Sequence, residues 1–91
     1  MSTEFEPILL KKLTTNNEFF GKSMPILKDK YFTDIGNQEL FKLIQTHYGK
    51  YQNVPSPTEL VASVKNVFNA EVRAEIITSL KKVSGTEEVQ N

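Results

Sequence analysis

Cysteine is absent from the chain, which excludes a disulfide framework and any thiolate-bound metal. Glycine is scarce, and Gly21, Gly36, Gly49 and Gly85 stand far apart. They suit turns and helix ends; a P-loop or a dinucleotide fingerprint needs glycines at fixed close spacing, and neither motif occurs. No charge of one sign dominates, since 11 basic residues offset 11 acidic ones. Nucleic-acid-binding domains draw affinity from phosphate neutralisation and carry a basic excess, so direct nucleic-acid binding is disfavoured. No apolar run approaches the ~18 residues of a membrane helix. The first residues lack the positive-then-apolar pattern of a signal peptide, and a cytoplasmic setting, without membrane partners, is the default expectation.

What remains fits one small domain. Its 91 residues are 38% hydrophobic, enough for a single modest core and too much for a disordered composition. Conformational ordering costs on the order of 1.5 kcal/mol per residue and nearly cancels burial in a domain of this size. Association with other chains is therefore expected to matter energetically.

Hydrophobic periodicity predicts five short helices. In the first, Pro7 suits the opening helical position and Phe5, Ile8, Leu9 and Leu13 recur on one face. Asn16 or Asn17 can cap the second, which carries Phe19 and Phe20 and ends near Met24, because Pro25 disfavours helical geometry in its predecessor. A broken helical stretch then leads to Tyr31 and Phe32. Asp34 or Asn37 caps the third helix, where Leu40, Phe41, Ile44, Tyr48 and Tyr51 share one stripe and Gly49 weakens the last turn.

The order Ser56-Pro57-Thr58-Glu59 combines an N-cap, a proline at the first helical position and a glutamate at the third, a complete capping box. Leu60, Val61, Val64, Val67 and Phe68 follow as the expected core face of the fourth helix. Asn69 caps the fifth, with Val72, Ile76, Leu80 and Val83 along one side; Lys81 and Lys82 favour its negative end and Gly85 stops it. The expected fold class is all-α, a compact bundle of about five short helices. Residues 1–85 form the domain and 86–91 a polar tail or the start of a linker.

Catalytic chemistry finds no foothold in these residues. His47 is the one histidine; at the edge of an apolar stripe it reads as a packed or exposed residue, because acid–base catalysis would need an orienting partner and a pocket. Glu71 and Glu75 lie one helical turn apart but without further ligands read as a solvated face or partners of Arg73, and Glu87-Glu88 reads as linker. Lys11-Lys12 and Lys81-Lys82 read as surface. Seven of the nine aromatic residues, Phe19, Phe20, Tyr31, Phe32, Phe41, Tyr48 and Tyr51, could stack on bases, yet their helical spacing places them in a core. No catalytic residue, cofactor or metal site is assigned. Leu10, Leu43 and Ile77 lie roughly 100° or more from the centres of their stripes. They either pack against a second layer of the fold or form an exposed partner-binding patch.

Ordered segments carry a resemblance. Glu6-Pro7-Ile8-Leu9-Leu10-Lys11-Lys12-Leu13, Tyr31-Phe32, Phe41-Lys42-Leu43-Ile44 and Tyr51-Gln52-Asn53-Val54-Pro55-Ser56 resemble, in order and spacing, the amino-terminal domain of the DnaB-like hexameric replicative helicases of T-even-type phages. The resemblance covers Glu6 through Leu60. It implies an all-α head from the collar of a ring helicase, in contact with other helicase subunits, a primase and a helicase loader during DNA replication. The ATP-binding motor of such a helicase lies in a separate carboxyl-terminal domain, and a helical hairpin follows the head; neither is found in these residues. The implied unit is a non-catalytic docking module, a monomer or weak dimer by itself. Two other functions compete: a freestanding small phage protein that binds a replication factor, and a DNA-binding regulator whose fourth and fifth helices form a helix-turn-helix. The absent basic surplus counts against the latter.

Overall fold

Glu6, one residue before Pro7, opens the first helix in the computed structural model, which describes residues 4–85. Helix α1 (Glu6–Thr15) is separated from α2 (Asn17–Ser23) by Asn16 alone. The Asn16 backbone is extended, its N–H closes α1 on the Lys12 carbonyl, and its Oδ1 accepts from the Phe19 N–H at 2.9 Å. One residue thus terminates one helix and caps the next. Helix α2 stops at Ser23, two residues before Pro25, and a 3-10 turn at Asp29–Tyr31 delivers Phe32 to the interior.

Asp34 caps α3 (Ile35–Tyr51), accepting from the Asn37 N–H at 3.1 Å. This helix continues past Gly49 and ends where Gln52 turns left-handed at φ 56°. The Ser56–Glu59 capping box then starts α4 (Pro57–Lys65), with reciprocal bonds of 3.0 and 3.1 Å. Asn69 caps α5 (Ala70–Ser84), its Oδ1 accepting from the N–H groups of Glu71 and Val72. All regular structure among the described residues is helical, as the periodicity requires. The Cα radius of gyration, 12.1 Å, matches the roughly 12 Å of a compact chain of this length.

Helices α3 and α5 form the central pair, with α1 laid across both and α4 against both. They approach closely at Gly36, where an added Cβ would run into the Glu75 carbonyl oxygen. The core gathers Leu10 and Leu13 from α1, Phe20 from α2, Phe41 and Ile44 from α3, Leu60 and Val64 from α4, and Ile76 and Val83 from α5. Phe32 stacks on Phe41 at a centroid separation of 4.9 Å, and Phe20 meets Tyr48 edge-on at 5.4 Å.

Five expected core positions lie on the surface instead: Phe5, Tyr31, Tyr51, Val61 and Phe68. Phe68 is 101% exposed, because α4 ends at Lys65 and a helical phase carried past that point loses its meaning. Val61 is 47% exposed, since α4 meets the body only through the side bearing Leu60 and Val64. Tyr51 closes α3 beyond the reach of the body and is exposed. On α1 the buried stripe is turned from the expected one: Phe5 is exposed, while Glu6 and Leu10 are fully buried. No helix among the described residues is long and apolar enough to cross a membrane.

Candidate interaction surface

Helices α4 and α5 leave a shallow apolar groove between them. Three depressions, of about 210, 450 and 370 Å³, run into one another across this face, and Val61 lines all three. Leu80 and Ser84 join the first to the second, and Lys65 joins the second to the third. The floor is aliphatic, built from Leu60, Val61, Val64, Ile77 and Leu80. Lys11, Lys65, Arg73 and Lys81 border it, and no carboxylate is among its lining residues.

Helical spacing explains this arrangement. Val61 and Lys65 are four residues apart on α4, and Arg73, Ile77 and Lys81 follow at the same interval on α5, so Val61 and Ile77 each have a cation one turn away. Arg73 also donates from Nη1 to the Val67 carbonyl at 2.9 Å, tying α5 to the connection between the two helices. That connection presents Phe68, held between the α4 terminus and the doubly bonded Asn69 cap.

Two polar clusters lie elsewhere and have structural work. The buried Glu6 carboxylate accepts from the Thr33 N–H and hydroxyl at 2.9 and 2.8 Å, the Asp34 N–H at 3.3 Å and the Asn37 side-chain amide at 3.0 Å. Burial works to raise its pKa. The donated bonds from the Thr33 backbone, the Asn37 and Thr33 side chains and the Asp34 backbone outweigh that, and the carboxyl lies below its ordinary 4.5. The Asn37 carbonyl oxygen in turn accepts from the Ser79 hydroxyl on α5. A fully enclosed carboxylate with every oxygen engaged organises the start of α3, where the helix dipole also favours an anion.

His47 is packed at the α3 terminus, its Nε2 2.8 Å from Asn53 Oδ1 and its Nδ1 3.7 Å from Glu59 Oε2. Glu59 sits below the ordinary 4.5, chiefly through the Ser56 backbone N–H and then the Ser56 hydroxyl. The imidazole thereby pins the connection between α3 and α4 rather than facing the groove. No group of three or more metal-ligating side chains converges among the described residues.

The three residues singled out for partner binding separate. Leu10 is 0% exposed and belongs to the core, where α1 touches α2, α3 and α5 at once; a second layer accounts for it, and a surface role is corrected. Leu43 is half-buried against the core. Ile77, 41% exposed, lies in the groove at the surface, whereas the buried Leu10 only backs the first depression from the core. Val61, an expected core position, belongs with Ile77, whereas Phe68 lines none of the three depressions. The signal that separates Val61 from core positions is its lysine at i+4.

Over 59 residues, 65% of this chain, the sequence is 32% identical to a DnaB-like replicative helicase of Enterobacteria phage T4. The chain spans 12% of that relative's length. No protein-family model matches the chain, and no solved structure matches it.

Proposed function

We propose that the chain is a non-catalytic helical docking module of phage DNA replication, akin to the amino-terminal head of a DnaB-like replicative helicase. In this role it contacts other helicase subunits and receives a primase or a helicase loader, while ATP hydrolysis belongs to a motor outside these residues. The likeness to the phage T4 helicase carries the reading. The all-helical architecture agrees with it, and the groove between α4 and α5 supplies the kind of surface such a role needs: an apolar floor with a polar rim.

The test is a binding measurement with a phage primase and a phage helicase loader, each immobilised and titrated with the purified chain. Saturable binding to one of them, at micromolar or lower concentration, is the expected result. Binding to neither, together with no association with a second head domain in sedimentation, overturns the reading.

A further inference from the structure

We infer that the α4–α5 groove receives an amphipathic helix of a partner protein whose apolar row is flanked by aspartate or glutamate. The inference deepens the docking reading and rests on it only in taking the partner to be a protein. Its own support is charge complementarity. The lining has an aliphatic floor centred on Val61, Ile77 and Leu80 and four cations at its border, with no carboxylate among them. Lys11, Lys65 and Lys81 form no ion pair with the described residues, and Arg73 makes a backbone hydrogen bond and no ion pair. In a chain with 11 charges of each sign, gathering only cations around this aliphatic floor is a local choice rather than an overflow of composition.

Shape points the same way. Two contacting helices joined by a short connection leave a trough, and an amphipathic helix fills such a trough with side chains at i, i+3, i+4 and i+7 while its flanks reach the rim. A nucleic acid fits less well, since its phosphates would meet the lysines but nothing on a duplex would cover the aliphatic floor.

The probe is a fluorescein-labelled amphipathic peptide with leucines at those spacings and glutamates beside them, compared by anisotropy with a lysine-flanked peptide of the same leucine pattern. The glutamate peptide is expected to bind about tenfold or more tightly than its counterpart. Val61→Asp should weaken it by about tenfold or more with the helical circular dichroism unchanged. Lys65→Glu combined with Lys81→Glu should shift the preference toward the lysine-flanked peptide. Equal binding of the two peptides, binding of neither, or indifference to Val61→Asp overturns the proposal. So does competition by mixed-sequence duplex DNA, or a doubling of mass in sedimentation that Val61→Asp abolishes, since the occupant is then a nucleic acid or a second copy. Primase and loader titrations distinguish the two readings. If Val61→Asp leaves intact an observed loader contact, the groove assignment fails and the docking role stands; peptide binding without any loader or primase contact leaves the groove and removes the role.

Discussion

Glu6 and Asn37, 31 positions apart in sequence, are joined by a 3.0 Å hydrogen bond in the interior, and Asn37 passes the connection to Ser79. Three helices are thereby registered by polar contacts rather than by apolar packing alone. Removing the acceptor strands the buried Asn37 amide, at about 1–3 kcal/mol, and frees the part-buried Thr33 and Asp34 donors. Glu6→Gln is expected to destabilise the fold by at least that amount in urea unfolding, because the new amide group faces N–H donors. The pH dependence follows from the depressed pKa. The unfolded Glu6 titrates near its ordinary value, so the carboxylate's contribution is complete above that pH and disappears as pH falls through the lower folded value. Wild-type stability should therefore drop below about pH 4.5, and Glu6→Gln should flatten that acid limb. An unchanged midpoint and an unchanged acid limb would remove Glu6 from this role.

Gly36 and Gly49 share α3 but should respond oppositely to alanine. A Cβ at Gly36 collides with the backbone of Glu75, which cannot yield without moving α5 away. At Gly49 nothing stands within 4 Å of the added Cβ, and the position is an exposed helical one. Gly49→Ala should stabilise by about 0.5–1 kcal/mol through helix propensity and reduced unfolded-state entropy. Gly36→Ala should lower the unfolding midpoint. Matching shifts of the same sign would contradict the close crossing of α3 and α5.

The connection between α3 and α4 rests on the His47–Asn53 contact and the Ser56–Glu59 box. Ser56→Ala should cost about 1 kcal/mol, the usual value of a lost N-cap. Asn53→Ala leaves a buried ring nitrogen without its partner, at about 1–3 kcal/mol. The pair should couple when combined, because both hold one short connection, and a double-mutant cycle measures that coupling directly.

Local chemistry was legible from sequence, and interior geometry was not. The caps at Asp34, Ser56 and Asn69 stand where short polar side chains precede apolar periodicity, because capping is decided within four residues. Glu6 went the other way. As a charged residue it was left out of the α1 stripe, which then centred on Phe5 and Ile8, and Leu10 fell outside it. The partners that make Glu6 buriable are Thr33, Asp34 and Asn37, contributed by a segment some thirty residues away, and no periodicity announces them. The groove was half legible. Ile77 stood out by its phase, but Val61 looked like core because its neighbour Leu60 is core.

Leu10 and Ile77 provide the decisive contrast between interior and surface. Both lie off the expected stripes, and an aspartate at either would have served as a test of partner binding. Leu10→Asp places a carboxylate among Leu13, Phe41 and other core groups with no donor set of the kind Glu6 enjoys. The penalty for an unpaired buried charge is several kcal/mol, comparable to the ~5–14 kcal/mol that holds a domain of this length together. Loss of cooperative thermal unfolding is the expected outcome for Leu10→Asp. Ile77→Asp projects into solvent beside Arg73 and Lys81, so its melting temperature should move little, within about 0.5 kcal/mol of wild type. If Ile77→Asp unfolds the protein while Leu10→Asp does not, the inward and outward faces of α1 and α5 have been exchanged.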